Sequence, residues 1–316
     1  MNAKRVACVG IFVADVLAKP IDRMPERGRL VLFDQLELHS GGCANNTAIA
    51  LARLGVPTVA VGKVGTDAFG DFILRRLEES GVSTRGMSRS RTHTSLTFVA
   101  VDSTGERTFF HTLGANGELE LGDIPDWLWE QADHLHVGGT FLMPRLDGSP
   151  TARLLQAARS KGLSTSLDTT WDAQGRWLEL LKESLPHLDY FMPSYEEAAA
   201  MTGLEKPEAI VAALREYGPR VVVLKMGARG SYLCAEGQTL RLPALSVPVV
   251  DTTGAGDAYA GGFLAGIALG YDLEAAARLG TAAGAACVMA IGTTAGLRDL
   301  QATWELWNRY EPRPLD

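Results

Sequence analysis

The chain has 316 residues, of which 46% are hydrophobic and 21% charged, a length and composition typical of one large α/β domain with a small appendage. Its net charge of −7 argues against nucleic acid or an acidic membrane as the main partner, because both usually attract a basic surface. The 4 cysteines are widely spaced with no Cys-x-x-Cys pair, which argues against a disulfide framework and a structural zinc site.

The first apolar segment, residues 6–17, is interrupted by Asp15 and lacks a separate basic region, so it predicts a strand and not a signal peptide. No apolar run in the sequence approaches the length of a membrane span. We therefore expect a cytoplasmic protein with reduced thiols.

Apolar runs rich in Val, Leu and Phe alternate with helical patterns along the chain. They predict strands at residues 6–11, 58–61, 134–137, 163–167, 190–192 and 221–225. The helical patterns include residues 45–54, closed by Gly55, and residues 68–79, closed by Gly81. Because strands separated by helices form βαβ units, we expect an α/β fold in one domain over residues 1–316. Its sheet should be mainly parallel and doubly wound, with helices on both faces.

Two segments depart from this alternation. Residues 16–40 carry prolines and an alternating pattern of leucines that includes Leu30 and Leu32. Residues 95–112 contain two strand-like runs around the turn at 102–105, which predicts a hairpin. Because neither segment fits a βαβ core, we assign both to a small β-sheet that acts as a lid.

A glycine-rich heptad, Asp-Thr-Thr-Gly-Ala-Gly-Asp at residues 251–257, separates two patterned segments. The valines around Pro248 predict a strand that enters it, and the alanine- and glycine-rich run at 258–270 predicts a helix that leaves it. This arrangement places the turn at a helix N-terminus, where unpaired amides and the helix dipole attract anions.

The turn therefore predicts an anion site formed by the backbone N–H groups of Gly254, Ala255 and Gly256. Asp257 would place a carboxylate beside it, in a position suited to taking a proton from a hydroxyl that attacks a phosphoryl group. An aspartate that only complements the helix dipole is the alternative interpretation.

The heptad resembles the C-terminal signature of the ribokinase-like (PfkB) carbohydrate kinases. Near the start of the chain, residues 41–48, Gly-Gly-Cys-Ala-Asn-Asn-Thr-Ala, resemble that family's sugar-binding turn. Segments 65–70, 107–116 and 225–230 follow in the family's order, so the resemblance covers nearly the whole chain. It implies an ATP-dependent kinase that phosphorylates a primary hydroxyl of a small sugar of the ribose, fructose or keto-deoxy type.

By this resemblance the substrate is held by Asp15, taken as the end of the first strand, and by Gly41, Gly42, Asn46 and Asn116. The alternative for the glycine turn is a helix capped by an asparagine at position 45 or 46. In the second lid strand, an arginine and a histidine occupy positions where the family contacts the sugar or its phosphate; a solvated strand face explains them equally well. These are Arg107 and His111.

Ser194 and Glu197 stand where the family has Asn-x-x-Glu, a motif linked to magnesium and phosphate. Glu197 matches, whereas Ser194 departs from the motif. A serine can still bond a metal-bound water, because Mg²⁺ keeps most of its waters. The same pair fits a helix capping box, and the two roles are compatible.

The nucleotide is expected near Lys225, Gly227 and Gly230, in a strand-turn-strand segment that by resemblance borders the phosphates and the ribose. Lys225 stands where many relatives have Thr. Thr281 aligns roughly with an asparagine that contacts adenine in the family. Because threonine replaces that asparagine here, the sequence does not predict its contact with the base.

Asp251 and Thr253 resemble loop residues that hold a monovalent cation, K⁺, in some members, and strand-end hydrogen bonding explains them nearly as well. The family's lid is often a dimer surface, so we expect a homodimer through the lid. Asp67 is predicted only to cap a helix. His134 and His136 alternate on one strand face, and without a third ligand nearby we favour a structural role over a metal pair.

Other functions fit the sequence less well. A nucleoside kinase on the same scaffold is the nearest, and a catalytically silent sugar-binding regulator is another, although the intact Asp257 argues against it. An NAD-linked enzyme is poorly supported, because no Gly-x-Gly-x-x-Gly follows the first strand and no P-loop occurs. The sequence does not identify the sugar.

Overall fold

The computed structural model describes residues 3–314, which form two β-sheets flanked by helices. The strands are β1 Val6–Gly10, β2 Val13–Lys19, β3 Gln35–Gly41, β4 Thr58–Gly65, β5 Ser83–Ser90, β6 Leu96–Val101, β7 Arg107–Thr112, β8 His134–Thr140, β9 Ser164–Thr169, β10 Tyr190–Phe191, β11 Val221–Lys225, β12 Ser231–Ala235 and β13 Gln238–Leu242. The helices are α1 Cys43–Arg53, α2 Ala68–Glu79, α3 Leu128–Gln131, α4 Ser149–Ser160, α5 Leu178–Leu181, α6 Tyr195–Thr202, α7 Pro207–Arg215, α8 Ala255–Ala268, α9 Leu273–Val288 and α10 Leu300–Arg309.

The main sheet has nine strands in the order β13-β12-β11-β10-β9-β8-β1-β4-β5. The strands from β11 to β5 run parallel, whereas β12 and β13 form an antiparallel edge. Buried parallel strands are continuous apolar runs, which is why their positions follow from the sequence. The predicted α/β class is confirmed.

Successive residues of β1 pack on opposite faces of the sheet. Val6 and Cys8 belong to a core with α1, α2, α8 and α9, whereas Ala7 and Val9 belong to a core with α4, α6 and α7. A strand with two buried faces requires helices on both sides, so the sheet is doubly wound as predicted. Among residues 3–314, no helix combines the length and the apolar character needed to cross a membrane.

The second sheet has four strands in the order β3-β2-β6-β7, and it begins at Val13, three residues before the first of the two segments predicted to form a lid. The hairpin around residues 102–105 is present, since β6 and β7 pair antiparallel. The strand expected through Leu30 and Leu32 is wrong at those residues: β3 begins only at Gln35, and the two leucines are 76% and 84% exposed. Pro20 and Pro25, which lack the N–H that a ladder needs, lie earlier in the connection between β2 and β3.

Three local predictions need correction. Asp15 does not end the first strand: β1 ends at Gly10, and Asp15 lies within β2 of the lid sheet, paired with β3 and β6. Helix α1 is not capped by an asparagine, because Gly42 with φ 96° already forms its N-cap. The strand expected around Pro248, directly before the heptad, is also wrong, since Pro248 cannot donate to a ladder and the amide of Val250 bonds to the end of α9 instead.

Candidate active site

A cavity of about 590 Å³ opens at the carboxyl ends of β9 and β11, between the N-termini of α1, α6 and α8. Ligands of open α/β sheets bind at this edge. The predicted site residues that line it are Ser194, Glu197, Lys225, Gly227, Gly230, Gly254, Ala255, Gly256, Asp257 and Thr281. Lining residues that the sequence did not single out include Cys43, Asp168, Thr169, Trp171, Thr252, Ala285, Val288 and Arg313.

Helix α8 begins three residues earlier than predicted, and its N-cap Gly254 adopts the left-handed conformation with φ 79°. A side chain at this position would lie 2.7 Å from the backbone oxygen of Thr293, so only glycine fits. The amide of Ala255 makes a 3.3 Å bond to Thr252 O, whereas within residues 3–314 the amide of Gly256 has no acceptor. The turn therefore presents the unpaired N–H group of Gly256 to the cavity.

Asp257 lies in the first turn of α8 and bonds to the first turn of α1. Asn46 donates from Nδ2 to Asp257 Oδ2 at 2.8 Å, and Asn45 donates to Asn46 Oδ1 at 3.1 Å. The second bond fixes which end of the Asn46 amide faces the carboxylate. The two signatures of the sequence thus meet at one carboxylate.

Asp15 approaches the same carboxylate from the lid. Its Oδ2 atom lies 1.9 Å from where a Cβ at Gly41 would be, so the missing side chain of Gly41 makes room for it. Burial raises the pKa of Asp15 to about 6, against the lowering effects of a Thr97 hydrogen bond and of His39, and the charge of Asp257 raises it further. The strand register puts His39, Asp15 and Thr97 side by side.

Asp168 and Lys225 form a buried ion pair at the ends of β9 and β11, with an N···O distance of 2.5 Å. Burial alone lowers the pKa of Lys225, but the Asp168 and Glu197 carboxylates outweigh it and hold the pKa above its usual value. Lys225 is therefore a fixed positive charge. A Cβ on Gly256 would lie 3.5 Å from its Nζ atom, so this charge sits beside the glycine turn.

Ser194 and Glu197 form the capping box of α6. Ser194 Oγ accepts from the Glu197 amide, and Glu197 Oε2 accepts from the Ser194 amide and from Thr169 Oγ1. Within residues 3–314, no three His, Cys, Asp or Glu side chains are arranged to hold a metal directly. The site fits Mg²⁺ only as an ion that keeps most of its waters, near Glu197 and Asp168.

Arg107, at the start of lid strand β7, reaches the heptad. Its guanidinium donates to Asp251 Oδ1 at 2.8 Å and to the Thr253 hydroxyl. Although burial alone raises the pKa of Asp251, bonds from the Thr253 and Gly292 amides and from Arg107 lower it to about 2. The side chains predicted to hold K⁺ bind a guanidinium in this structure.

Asn116 is 1% exposed, and both polar atoms of its side chain bond to the backbone of Phe12 at 3.1 Å. This arrangement favours a positioning role over direct contact with a substrate. Thr281 also has a local partner, because its hydroxyl donates to Ala277 O within α9. Sequence patterns cannot reveal such bonds, because they depend on side-chain direction.

Asp67 caps α2 as predicted, accepting from the Gly70 amide. His134 bonds to the hydroxyls of Ser164 and Ser166, and His136 bonds to the latter. Burial lowers the pKa of both histidines to about 3, so they are neutral. These bonds support the structural role.

Comparison with known proteins decides the family. The model of the pfkB family carbohydrate kinases matches residues 3–300. The chain belongs to this family. It is therefore a carbohydrate kinase, as the resemblance implied.

Several kinases are similar to this chain in sequence or structure. The 2-dehydro-3-deoxygluconokinase of Bacillus subtilis is 31% identical over 269 residues, which cover 81% of this chain and 82% of that protein. The fructokinase of Klebsiella pneumoniae is 32% identical over 258 residues, covering 78% and 81%. Arabidopsis thaliana ribokinase, solved with ribose and ATP, superposes with a TM-score of 0.86 at 26% identity, over 97% of this chain and 99% of that one.

Proposed function

We propose that this pfkB kinase transfers the γ-phosphoryl group of ATP to a primary hydroxyl of a small free sugar, with Asp257 as the general base. The observation that carries this proposal is the position of Asp257, held by Asn46 beside the unpaired amide of Gly256. A base and an anion site on one turn bring a hydroxyl and a phosphoryl group together.

The polar side of Asp257 suits a polyhydroxylated substrate. Asp15 and the Asn46 amide offer acceptors and a donor, and buried polar groups of this kind favour a ligand with matching hydroxyls. The Gly41 and Gly42 turn lets the lid strand approach the start of α1. These residues form our proposed sugar site.

The cavity on the other side of the turn suits ATP. We place the phosphates between the amides of residues 254–256 and the Lys225 ammonium, with the base and ribose along Gly227, Gly230 and Thr281. Mg²⁺ bound through its waters near Glu197 would supply positive charge to the phosphates. Ser194 lies beside Glu197, and Asp168 lies beside Lys225 and Glu197. Both side chains are placed to orient such waters.

A phosphorylation screen tests the substrate class. The value of kcat/KM for ribose, fructose and 2-keto-3-deoxygluconate is compared with that for adenosine, cytidine and pseudouridine, at one concentration of ATP and Mg²⁺. A free sugar should give the highest value. A nucleoside that exceeds every sugar tenfold would replace the substrate while leaving the role of Asp257 in place.

One observation favours the nucleoside alternative. Phe109 is 59% exposed on β7, two residues from His111, whose ring bonds to Thr97 in the row that contains Asp15. An exposed ring on that face offers a stacking surface for a base. The screen above distinguishes this case.

The outer face of the lid supports a homodimer. Strand alternation places Leu36, Leu38 and Phe110 on the face opposite Asp15, where they are 64%, 40% and 45% exposed. Contiguous apolar surface of this kind marks an interaction site. Sedimentation velocity should give a dimer, and a Leu36→Asp variant should shift it to a monomer; a monomeric parent protein would remove the proposal.

A further inference from the structure

Among the described residues, one ion pair joins the lid sheet to the main body. Arg107 on β7 pairs with Asp251, 144 residues further along the chain, and also bonds to the hydroxyl of Thr253. The other lid ion pairs of residues 3–314, Lys19 and His39 with Glu37, stay within the lid.

The acceptor of this contact, Asp251, lies three residues before Gly254, the first residue of the anion-binding turn. Asp251 has a side chain only 4% exposed, and its two oxygens also accept from the Thr253 amide at 2.9 Å and the Gly292 amide at 3.1 Å. It therefore fastens the residues before Gly254 to the loop that follows α9. A buried carboxylate destabilises its surroundings unless a positive charge compensates it.

Thr253 immediately precedes the N-cap of α8. A guanidinium on its hydroxyl fixes that residue and adds positive charge next to the amides that receive the phosphoryl oxygens. A soluble monovalent cation at Asp251 and Thr253 would do the same electrostatic work, but its oxygen ligands are already bonded to Arg107.

We propose that Arg107 is a built-in cation and a positioning residue, which completes the anion-binding turn when the lid sheet lies over the site. A dissolved ion would act whatever the position of the lid. An arginine carried by the lid makes the charge conditional on closure. The chain should therefore need no K⁺, and should acquire a need for a cation when Arg107 is removed.

The test compares the parent protein with Arg107→Ala, Arg107→Lys and Lys19→Ala. The last is the matched control, because it removes a lid cation whose pairing partner, Glu37, lies in the lid itself. Values of kcat and KM are measured with the best sugar of the screen in Na⁺, K⁺ and Tris buffers of equal ionic strength, with and without millimolar guanidinium chloride.

The parent protein and Lys19→Ala should show equal rates in the three buffers. Arg107→Ala should lose roughly 10² in kcat/KM, the effect typical of removing one stabilising donor from an oxyanion site, and should regain at least tenfold with K⁺ or guanidinium. Arg107→Lys should lie between, since lysine keeps the charge but not the fork of donors. Rescue by a small cation would not follow from a merely structural role.

Two results would overturn the inference: K⁺ activation of the parent protein by threefold or more, or an Arg107→Ala variant with parental rates and no cation response. The first applies even where the alanine variant fails to fold. Because the inference rests on the proposed phosphoryl transfer, MgADP affinity is measured in the same buffers without sugar. A parent protein that phosphorylates no sugar would contradict the proposed function. The MgADP affinities test the role of Arg107 separately. An affinity that falls in Arg107→Ala and is restored by guanidinium would support that role, and an unchanged affinity would contradict it.

Discussion

Asn46 Nδ2 and Asp257 Oδ2 are 2.8 Å apart, although 211 residues separate them in the chain. The bond joins the N-termini of α1 and α8, whose close packing is permitted by Gly261: a Cβ there would lie 2.5 Å from Ala50. Both helix dipoles thus point their positive ends at one carboxylate. The amide of Asn46 holds the Oδ2 atom of Asp257 in place by this bond.

Asp257→Asn should lower kcat by about 10² to 10⁴, the usual contribution of a general base, with little change in sugar KM. The amide keeps the shape of the carboxylate and can still accept from Asn46. Steady-state kinetics on folded protein provide the measurement. Asp272→Asn is the matched control, because Asp272 only caps α9. An Asp257→Asn turnover within tenfold of the parent value would contradict the assignment.

Glu197→Gln should raise the Mg²⁺ concentration for half-maximal rate severalfold, because it removes a negative charge near the proposed ion. Glutamine can keep the capping box with Ser194, so helix α6 should persist. The measurement is a Mg²⁺ titration at fixed ATP. Glu274→Gln, a first-turn substitution in α9, should leave the titration unchanged. An unshifted curve for Glu197→Gln would leave that residue as a cap alone.

The raised pKa of Asp15, about 6, predicts the pH profile of sugar binding. The carboxylate accepts hydrogen bonds best when ionised, so kcat/KM should rise as pH increases through 6. Asp15→Asn should lose that limb and give a lower, flatter profile. A parent profile that is flat between pH 5 and about 7 would contradict the role of Asp15.

Stability should change with pH in the opposite sense. The folded pKa of Asp15 lies above the unfolded value of about 3.9, so its contribution is most favourable below that value and is lost as pH rises through 6. Asp15→Asn should therefore have a higher Tm than the parent protein at neutral pH, with the difference shrinking towards pH 4. Thermal unfolding at both pH values checks this, and a lower Tm for the variant at neutral pH would contradict it.

The parts of the fold that the sequence predicts are those with local causes. Strand β11 was predicted at its observed limits because a buried parallel strand is a continuous apolar run. Strand β5, Ser83–Ser90, is not predicted, because it lies at the sheet edge and is mostly polar, so it carries no apolar pattern.

The site divides in the same way. Asp257 and the glycine turn are predicted from the sequence because they lie within the heptad at residues 251–257, a strong local signature. The Asp168–Lys225 pair is not predicted, although a carboxylate directly after the predicted strand 163–167 is a detectable pattern at the end of a parallel strand. The contact of Arg107 with Asp251 depends on how the lid lies on the main sheet. The sequence around neither residue encodes that arrangement.

The close approach of Asp15 to the backbone of Gly41 supplies the last prediction. A Cβ at position 41 would lie 1.9 Å from Asp15 Oδ2, so Gly41→Ala should displace the carboxylate from the sugar site. Loss of a hydrogen bond to a charged group costs about 1.5 to 3 kcal/mol. Sugar KM should therefore rise roughly 10- to 10²-fold, by the conversion of about 1.4 kcal/mol per factor of ten, while KM for ATP stays constant.

A second substitution separates displacement from general damage. Gly41→Ala should also lower Tm, and adding Asp15→Ala should recover much of that loss, because the clashing carboxylate is gone, without restoring sugar KM. Gly122→Ala is the matched control, since its nearest atom, Glu120 Oε1, lies 3.9 Å away at ordinary contact distance. If Gly41→Ala binds sugar like the parent protein, or if the double variant has the lower Tm of the two, the carboxylate does not occupy the place that the absent side chain leaves for it.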